Sequence, residues 1–510
     1  MDQESQITDH KASSRLLGKL SYVLPKGYKF GIYHISTPPT RKDPLYAPPP
    51  NQAPDKTFCE THFLAISINV PDKSNAPATV LVLALEIFIY TTSFSTTLFV
   101  SKADSTGYLH LLGLPKGSPS PIRTVTTAFI EFLVEERRRK DVQFVISLFA
   151  RAQDQYLFPG SVENKGKHVL DDRSLVKWWC RVVNPIIETP PIGEMEPWKE
   201  TKAYLVVPGL DRYEMRTLVP RTPKTLENWK FSHPLKQLSQ FTSDAGAELP
   251  ARCLIPSYPD DPKARFRDEL DDEAAKSAQF KKNGLWKSVH NIDQFWDMMA
   301  YRQECSSGRM TGFLWVVFNT ACNRKRDPAL QSATPAKSKK ISFNDSKKGL
   351  RMLVKHSNSK KRRKLTGVIV PREPHIKTHR KKSLLKKPVL TKFYAWPMSS
   401  RGEIIVDDAD YKQIYELLLR LDFANLAIAQ SSSARWISEV GGGKMWGAQV
   451  VGEAEEKTAE NGKENGAANV LLVNNLSGLV KRKRQDSESK VEAPVVNVLS
   501  AGSVRKKPKN

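Results

Sequence analysis

The stretch "TVLVLALEIFIYTT" (79–92) decides the fold class of this 510-residue chain. Two further runs rich in β-branched and aromatic residues flank it, "HFLAISINV" (62–70) before it and "TTLFVSKAD" (96–104) after it. Runs of strand length separated by short turns predict neighbouring strands of a mostly buried sheet. The central run is not a membrane span, because it carries Glu86 and is shorter than the roughly 20 apolar residues that a spanning helix needs.

Helical patterns alternate with these strands. Ser120 and Pro121 suit a helix start. An apolar stripe at helical spacing follows them and comprises Ile122, Val125, Phe129, Ile130 and Leu133. The strand-like run "VQFVISLF" (142–149) comes next, and then an amphipathic run, "DDRSLVKWWCRVVNP" (171–185), which Pro185 is expected to end. Strands interleaved with helices predict a mixed α/β domain.

Charge divides the chain into two parts. Residues 1–320 hold 40 basic and 36 acidic residues, whereas the remainder holds 39 basic and 18 acidic ones, so the formal excess is about +4 and about +21. The Lys- and Ser-rich segment 324–366 is predicted to be a disordered basic insertion. The stretch "GVIVP" (367–371) marks a return to order, and residues 407–436 carry one helical stripe. Its members are Ile414, Leu418, Leu421 and Ile428.

The last segment, 441–510, has low complexity and basic clusters, "KRKR" (481–484) and "RKKPK" (505–509). We predict an ordered domain over 1–440 and a disordered basic tail over 441–510, in which the clusters are candidates for nuclear import and direct nucleic-acid contact.

Several classes of protein lack their sequence signatures here. The polar N-terminus is no secretory signal, and five scattered cysteines without a CxxC pair argue against a zinc ribbon and a disulfide framework. The sequence has no GxxxxGK[ST], no GxGxxG after a strand, no GxSxG and no HExxH, and its histidines do not stand at metal-ligand spacing near cysteines. We therefore expect a soluble intracellular protein without a metal site.

The stretch "PSYPDDPKARF" (256–266) has two interpretations. Asp261 before Pro262 is a strong helix-start signal, and Phe266, Leu270 and Ala274 recur at intervals of four, as in a surface helix. The rigid acidic pair Asp260 and Asp261 beside Lys263 also suits a site that handles an amine. The local pattern alone favours the first interpretation.

Polar and aromatic residues at the ends of apolar elements are candidate site residues, although each has an ordinary structural interpretation. Trp178 and Trp179 fit a helix core, His168 fits a structural histidine, and a Ser/Pro-rich loop before a helix is a weak signal for phosphate binding. The others of this kind are Asp104, Arg123 and Tyr156.

Seven motifs taken together resemble one family. They are "ALEIFIYTT", "LFVSKADSTGY", "QYLFP", "KHVLDDRSLVKWW", "PDDPKARF", "FWDMMAYRQE" and "GVIVP", and they lie between about residues 60 and 440. This set is similar to the fungal histone acetyltransferases of the regulator-of-Ty1-transposition family, distant structural relatives of the metazoan CBP-type enzymes. The resemblance implies a central mixed β-sheet wrapped by helices, with acetyl-CoA lying across the sheet.

The resemblance also implies roles for individual residues. Ala103, Asp104 and Ser105 would line the cofactor site, and the loop from about Ser118 to Arg123 would hold the phosphates. Further cofactor contacts would come from Phe149, Gln153, His168, Val169, Leu170 and Trp178. Trp179 and Tyr156 would border the substrate tunnel, Asp260 and Asp261 would form the acidic pair of the active site, and Lys263 would be autoacetylated. The long lysine-rich insertion that many family members carry after the first long helix is reduced here to "RRRKD" (137–141).

The function implied by the resemblance is acetylation of histone H3 lysines from acetyl-CoA, without a metal. It would act in the nucleus on H3–H4 bound to a nucleosome-assembly-type or an anti-silencing-function chaperone, in replication-coupled chromatin assembly and genome stability. An acidic pair suits this chemistry, because a lysine with a pKa near ~10.4 is almost fully protonated at neutral pH, a handicap of roughly 4 kcal/mol. Cys180 and Cys253 are not expected to act as nucleophiles. A non-enzymatic chromatin or nucleic-acid-binding scaffold remains the alternative, because of the basic C-terminal region.

Overall fold

The computed structural model describes most of the region before residue 456. The described residues are 15–50, 52–71, 77–115, 117–193, 195–241, 249–303, 305, 308–322 and 387–455. The predicted basic insertion (324–366), the "GVIVP" stretch and the basic clusters of the tail lie outside them.

An eleven-stranded sheet forms the centre of the molecule. The strands are β1 (Lys29–Ser36), β2 (Thr40–Lys42), β3 (Thr57–Pro71), β4 (Pro77–Thr91), β5 (Ser95–Ser105), β6 (Gln143–Arg151), β7 (Glu200–Val206), β8 (Trp229–Lys230), β9 (Thr311–Asn319), β10 (Ile404–Ile405) and β11 (Ala448–Val451). Their order in the sheet is β10-β1-β3-β4-β5-β6-β9-β7-β8, with β11 beside β1 and β2 beside β3. The pairs β5–β6, β1–β10 and β7–β8 are parallel and the others antiparallel, which confirms the predicted mixed sheet.

Helices cover both faces of this sheet. They are α1 (15–23), α2 (Pro121–Arg137), α3 (Asp172–Glu188), α4 (Arg212–Arg216), α5 (Thr225–Asn228), α6 (Leu235–Leu238), α7 (Pro262–Ala274), α8 (Ala278–Asn283), α9 (Ile292–Met299), α10 (Asp408–Leu419) and α11 (Leu426–Val440). None of the described helices is long and apolar enough to cross a bilayer.

Alternation along the strands divides the core into two layers. In β9, Leu314 and Val316 belong to the core cluster that also contains residues of α2, α3 and α11, whereas Phe313 and Trp315 belong to the cluster that contains residues of α7 and α9. Successive strand residues point to opposite faces, so a strand that is apolar throughout must be covered on both sides. The prediction of a mostly buried sheet is therefore confirmed.

Two helix predictions were wrong in detail. α3 does not end at Pro185 but continues to Glu188, because a proline in the last turn removes only one hydrogen bond and Thr189 still caps the helix by donating to the Pro185 carbonyl. The single helix predicted over 407–436 is two helices, since Asn425 starts α11 by accepting from the Ile428 amide.

The basic run at the end of α2 is buried. Arg137 forms an ion pair with Glu60 and also contacts His62 and Ser400, while the Arg138 guanidinium lies 3.6 Å from the Trp198 ring centroid. His34 and His62 are joined at 3.0 Å next to this pair. The arginines therefore join α2 to β3 and to the chain that follows residue 387.

We predicted that the ordered domain ends at residue 440, but the structure continues beyond it. β11 pairs antiparallel with β1, and Trp446 packs at centroid distances of 5.0 Å on Tyr33 and 5.9 Å on Trp436. The sequence pattern missed this strand because it has only four residues at the edge of the sheet, where partner pairing and not hydrophobic periodicity stabilises it.

Two truncations test this boundary. A chain ending at residue 456 should unfold like the full chain in urea, whereas one ending at 440 should lose about 2–4 kcal/mol, somewhat less than for a fully buried aromatic ring. Equal stability of the two truncated proteins would show that β11 and Trp446 contribute nothing.

The buried histidines predict a pH dependence of stability. Burial lowers the pKa of His34 well below its usual value, helped by His62 and Arg137, and burial lowers the pKa of His62 against the attraction of Glu60. Below about pH 6.5 the unfolded chain binds protons that the folded chain excludes, so stability should fall by up to about 1.4 kcal/mol per pH unit for each histidine. His34→Gln should flatten the slope between pH 6.5 and 5.5 in urea titrations, and an unchanged slope would contradict this assignment.

Candidate active site

The site begins where β5 and β6 separate. The two strands pair in parallel from Ser95 and Gln143 as far as Val100 and Leu148. Beyond that point β5 follows β4 to Ser105, while β6 follows β9 to Arg151. The two strand ends therefore border a cleft, and among the described strands none pairs with β5 on that side.

A β-bulge interrupts the alternation of β5 beside this cleft. Glu86 of β4 opposes Lys102 and Ile87 opposes Val100, so Ser101 is the extra residue. Bulges interrupt strict alternation and are common beside active sites. As a result, all four residues from Val100 to Ala103 line one cavity of about 340 Å³.

Seven of the predicted site residues meet in this cavity. They are Ala103, Phe149, Gln153, Tyr156, Trp178, Trp179 and Asp260. A second depression contains Val169 and Leu170 and shares Gln153 with the cavity, so the two adjoin. The structure thus brings predicted cofactor and substrate residues from β5, β6, α3 and the loop before α7 to one place.

α3 positions the two tryptophans. The Asp171 carboxylate caps the helix by accepting from the Ser174 amide, and Asp172 accepts from the Ala152 and Met310 amides, each at 3.0 Å. Gly312 of β9 lets α3 approach closely, because a Cβ there would lie 2.6 Å from a Val176 methyl group. Trp179 is buried and Trp178 half-buried, with ring centroids 4.8 Å apart.

Asp104 is buried beneath the cavity and organises the loop that carries Tyr156. Its carboxylate accepts from the backbone amides of Tyr156 at 2.7 Å and Leu157 at 2.8 Å, and Lys167 Nζ lies 2.9 Å from it. Burial raises the pKa of Tyr156 to about 12, so the phenol stays protonated at neutral pH. Its hydroxyl donates to the Arg151 carbonyl at 2.5 Å.

The adjacent carboxylates Asp260 and Asp261 lie in opposite environments. Asp260 has a left-handed backbone, with φ of 57°, and its side chain is 70% exposed at the cavity. Asp261 is extended, as expected before a proline, and is fully buried. It caps α7, as predicted, by accepting from the Lys263 amide at 3.1 Å.

Lys263 is buried together with Asp261 and is not part of a solvated surface. Its ammonium forms an ion pair with the Asp261 carboxylate and lies 5.0 Å from the Tyr258 ring centroid and 5.4 Å from that of Phe313. Burial raises the pKa of Asp261 and lowers the pKa of Lys263, and in each case the partner's charge opposes the shift. Desolvation therefore favours the neutral forms of Asp261 and Lys263, whereas their direct contact stabilises the charged forms.

The other predicted residues lie outside the cavity lining. Ser105 follows Asp104 at the end of β5, Arg123 is half-buried in the first turn of α2, and His168 is exposed beside the second depression. Sequence reasoning missed several lining residues, Ser101, Lys102, Arg151, Leu175 and Arg265. Only Lys102 had a signal, its place next to Ala103, and strand alternation would have directed the two to opposite faces.

Comparison with known proteins identifies the family. The model of the histone acetyltransferase KAT11-type domain matches residues 16–144 and 139–439. The chain belongs to the KAT11-type histone acetyltransferase family. It is therefore an acetyltransferase, and acetyl-CoA is the co-substrate that the family implies.

Individual relatives agree with this assignment. The chain is similar to the histone acetyltransferase rtt109 of Aspergillus flavus, with 36% identity across 96% of this chain and 98% of that protein. It is 32% identical to the rtt109 of Schizosaccharomyces pombe across 56% of this chain and 67% of that protein. The crystal structure of Rtt109 from Aspergillus fumigatus superposes with a TM-score of 0.65 at 37% identity, covering 86% of this chain and all of that one. The resemblance inferred from the motifs is confirmed.

The buried ion pair predicts an asymmetry between single and double substitutions. Lys263→Met should destabilise the protein by about 3–5 kcal/mol, because the Asp261 carboxylate loses its compensating charge in the interior. The double variant Asp261→Asn/Lys263→Met should recover most of that loss in urea unfolding. Lys276→Met, on the exposed surface just after α7, is the matched control and should stay within about 0.5 kcal/mol of the unmodified protein. If the double variant lost as much stability as Asp261→Asn and Lys263→Met lose together, the two residues would not be coupled.

Proposed function

We propose that this protein transfers the acetyl group of acetyl-CoA to lysines of histone H3, presented as H3–H4 by histone chaperones, in replication-coupled chromatin assembly and genome stability. The observation that carries the proposal is the convergence of the predicted cofactor and substrate residues on one cavity between the diverging ends of β5 and β6. The names of the relatives, histone acetyltransferases, support histones as the substrate class.

The cavity walls fit the thioester end of acetyl-CoA. Half-buried apolar side chains, Phe149, Leu175 and Trp178, surround a narrow space. The free edge of β5 beyond Val100 offers backbone hydrogen-bonding groups that suit the amides of a pantetheine arm. We propose that Ala103, Gln153 and Trp178 contact this arm and that Val169 and Leu170 extend the site through the adjoining depression.

The remaining cofactor assignments concern the edges of the groove that the cavity and the adjoining depression form together. We propose that Asp104 and Ser105 hold the end of β5 in place against the cofactor, that the loop up to Arg123 faces the phosphates, and that His168 borders the outer part of the groove. Arg123 in the first turn of α2 supports the phosphate assignment, because its guanidinium adds positive charge at the positive end of the helix dipole.

The chain's own residues prepare the amine. When bound, acetyl-CoA supplies an already activated thioester, so the protein needs no nucleophile of its own. Burial raises the pKa of Cys180 and, to about 11, that of Cys253, so neither thiol is a ready nucleophile. Trp179 and Tyr156 form the dry wall along which the substrate lysine enters, and the neutral phenol contributes no competing charge.

We assign different roles to the two carboxylates. Asp260 faces the cavity, so it attracts the incoming ammonium and lowers the barrier to removing its proton. Asp261 lies behind it, where it fixes the start of α7 and holds Lys263. A proton can pass through this buried pair, since desolvation brings the carboxyl and the ammonium closer in pKa.

Lys263 is the proposed site of autoacetylation. Its burial lowers the pKa of the ammonium, which raises the neutral fraction that can attack a thioester carbonyl. The amine nitrogen would form the amide bond, the thiol of coenzyme A would leave, and Asp261 would take the proton. Removal of this position from water favours a neutral amide over a charge, although the rings of Tyr258, Phe313 and Trp315 attract the ammonium.

A mass-spectrometric experiment tests the function. H3–H4 is incubated with acetyl-CoA and the full-length protein, alone and with a nucleosome-assembly-type or an anti-silencing-function chaperone, and acetyl-lysines on H3 and at Lys263 are mapped. We expect H3 acetylation that rises with a chaperone. No acetylation under any condition, together with salt-sensitive DNA binding, would favour the scaffold alternative that the basic C-terminal sequence suggests. The basic clusters "KRKR" (481–484) and "RKKPK" (505–509) support a nuclear location.

Trp178 provides a matched test of the cofactor site. Trp178→Ala should weaken acetyl-CoA binding at least about tenfold and cost less than the roughly 3–5 kcal/mol of a fully buried aromatic ring. Trp198→Ala removes another half-buried tryptophan, which stacks on Arg138 outside the cavity, and should reduce stability but not affinity. Calorimetry with acetyl-CoA and thermal unfolding separate the two effects, and normal affinity in Trp178→Ala would leave Trp178 a core residue only.

A further inference from the structure

Lys102 stands between two carboxylates at the wall of the cavity. Its Nζ lies 3.7 Å from Glu86 Oε2 on β4 and 3.3 Å from Asp260 Oδ2 before α7. The Lys102 side chain is 21% exposed, that of Glu86 is 4% exposed and that of Asp260 is 70% exposed. One ammonium thus joins a carboxylate of the interior to the carboxylate that faces the substrate.

The inner end of this contact is fixed by α10. The Glu86 carboxylate accepts from the Tyr411 hydroxyl at 2.7 Å and from the Ser101 hydroxyl at 2.8 Å. The Tyr415 ring, one turn along α10, lies 5.3 Å from Lys102 Nζ. A buried carboxylate is stable only with such hydrogen bonds and an opposing charge, so Glu86 is a rigid anchor for the ammonium.

Asp260, the exposed partner of Lys102, needs a contact that fixes the position of its carboxylate. Asp260 has the left-handed backbone that non-glycine residues rarely adopt, and its side chain extends towards solvent. A freely moving carboxylate would hold an incoming ammonium in many positions, and errors of about 1 Å in reacting groups can cost roughly 100-fold in rate. The contact with Lys102 restricts this carboxylate to the wall of the cavity.

We propose that Lys102 is a positioning residue, which Glu86, Tyr411 and Tyr415 hold in place so that it orients Asp260 towards the substrate lysine. α10, which follows the insertion in the chain, is then a supporting part of the active site. The inference rests on the proposed role of Asp260 in attracting the substrate ammonium.

The same contacts explain why a lysine in the cavity wall is not itself the acceptor. Burial alone would lower the pKa of Lys102, yet Glu86, Tyr415 and Asp260 outweigh burial and raise it. The ammonium therefore keeps its proton and lacks the lone pair that attack on a thioester requires. It differs in this respect from Lys263, whose pKa is lowered.

Steady-state kinetics on H3–H4 with the anti-silencing-function chaperone test the proposal. Lys102→Met should lower kcat/KM for H3–H4 by about tenfold or more and leave KM for acetyl-CoA within about twofold. Lys102→Arg keeps the charge and should restore most of the loss. Lys412→Met, an exposed lysine of α10 with 76% of its side chain accessible, is the matched control and should behave as the unmodified enzyme.

A double-mutant cycle separates positioning from stability. If Lys102 acts through Asp260, Lys102→Met should change kcat/KM by less than about twofold in the Asp260→Asn background. If the losses in kcat/KM caused by Lys102→Met and Asp260→Asn multiplied in the double variant, the proposal would be overturned. Acetylation of Lys102, detected in peptides of the active enzyme, would also overturn it. If Lys102→Met unfolds, the double variant Glu86→Gln/Lys102→Met removes the charges of both partners. Recovered stability with normal kcat/KM in that variant would reduce Lys102 to an ion-pair partner of Glu86.

The experiments distinguish a failure of the proposed function from a failure of the proposed role of Lys102. An unmodified enzyme that does not acetylate H3–H4 would overturn the proposed function and this inference with it. An active unmodified enzyme with a fully active Lys102→Met variant would overturn this inference alone.

Discussion

The separation of β5 from β6 is the constraint on which the site depends. Parallel strands that stay paired would close the sheet, and Ala103 and Phe149 would lie in a continuous ladder without a cavity. The separation is stabilised on both sides, because β5 remains paired with β4 and β6 with β9. The cleft therefore costs few backbone hydrogen bonds, and those left open lie where a ligand with amides of its own can use them.

Buried charge then holds the surrounding elements in position. The Arg137 ion pair with Glu60 joins α2 to β3, and the Lys167 ion pair with Asp104 joins a loop to the end of β5, whereas Lys263 and Asp261 fix the start of α7 itself. Such pairs contribute little net stability, since desolvation offsets attraction, but an unpaired partner is costly. They therefore select one arrangement of loops around the cavity, which explains why a domain body with little net charge carries so many ionised groups inside.

Local patterns in the sequence predicted what depends on local physics. The strands around residues 79–92 and the start of α7 at Asp261 follow from apolar runs and from a cap before proline. The bulge at Ser101 depends on the register between β4 and β5, and the burial of Arg137 and the edge strand β11 depend on partners far away in the chain, so no local pattern encodes them. The candidate site was found through motif resemblance, whereas its geometry, including the presence of Lys102, required the fold.

The contrast between Asp260 and Asp261 shows how backbone conformation divides roles between identical side chains. Pro262 restricts Asp261 to an extended conformation, which directs its carboxylate under the start of α7 and towards Lys263. The left-handed turn at Asp260 reverses the chain direction just before, so the neighbouring carboxylate emerges at the cavity. Because Asp tolerates this conformation better than most residues, the pair needs no glycine there. A buried carboxylate and an exposed carboxylate thus stand on consecutive residues, and the rigidity of the first limits the movement of the second.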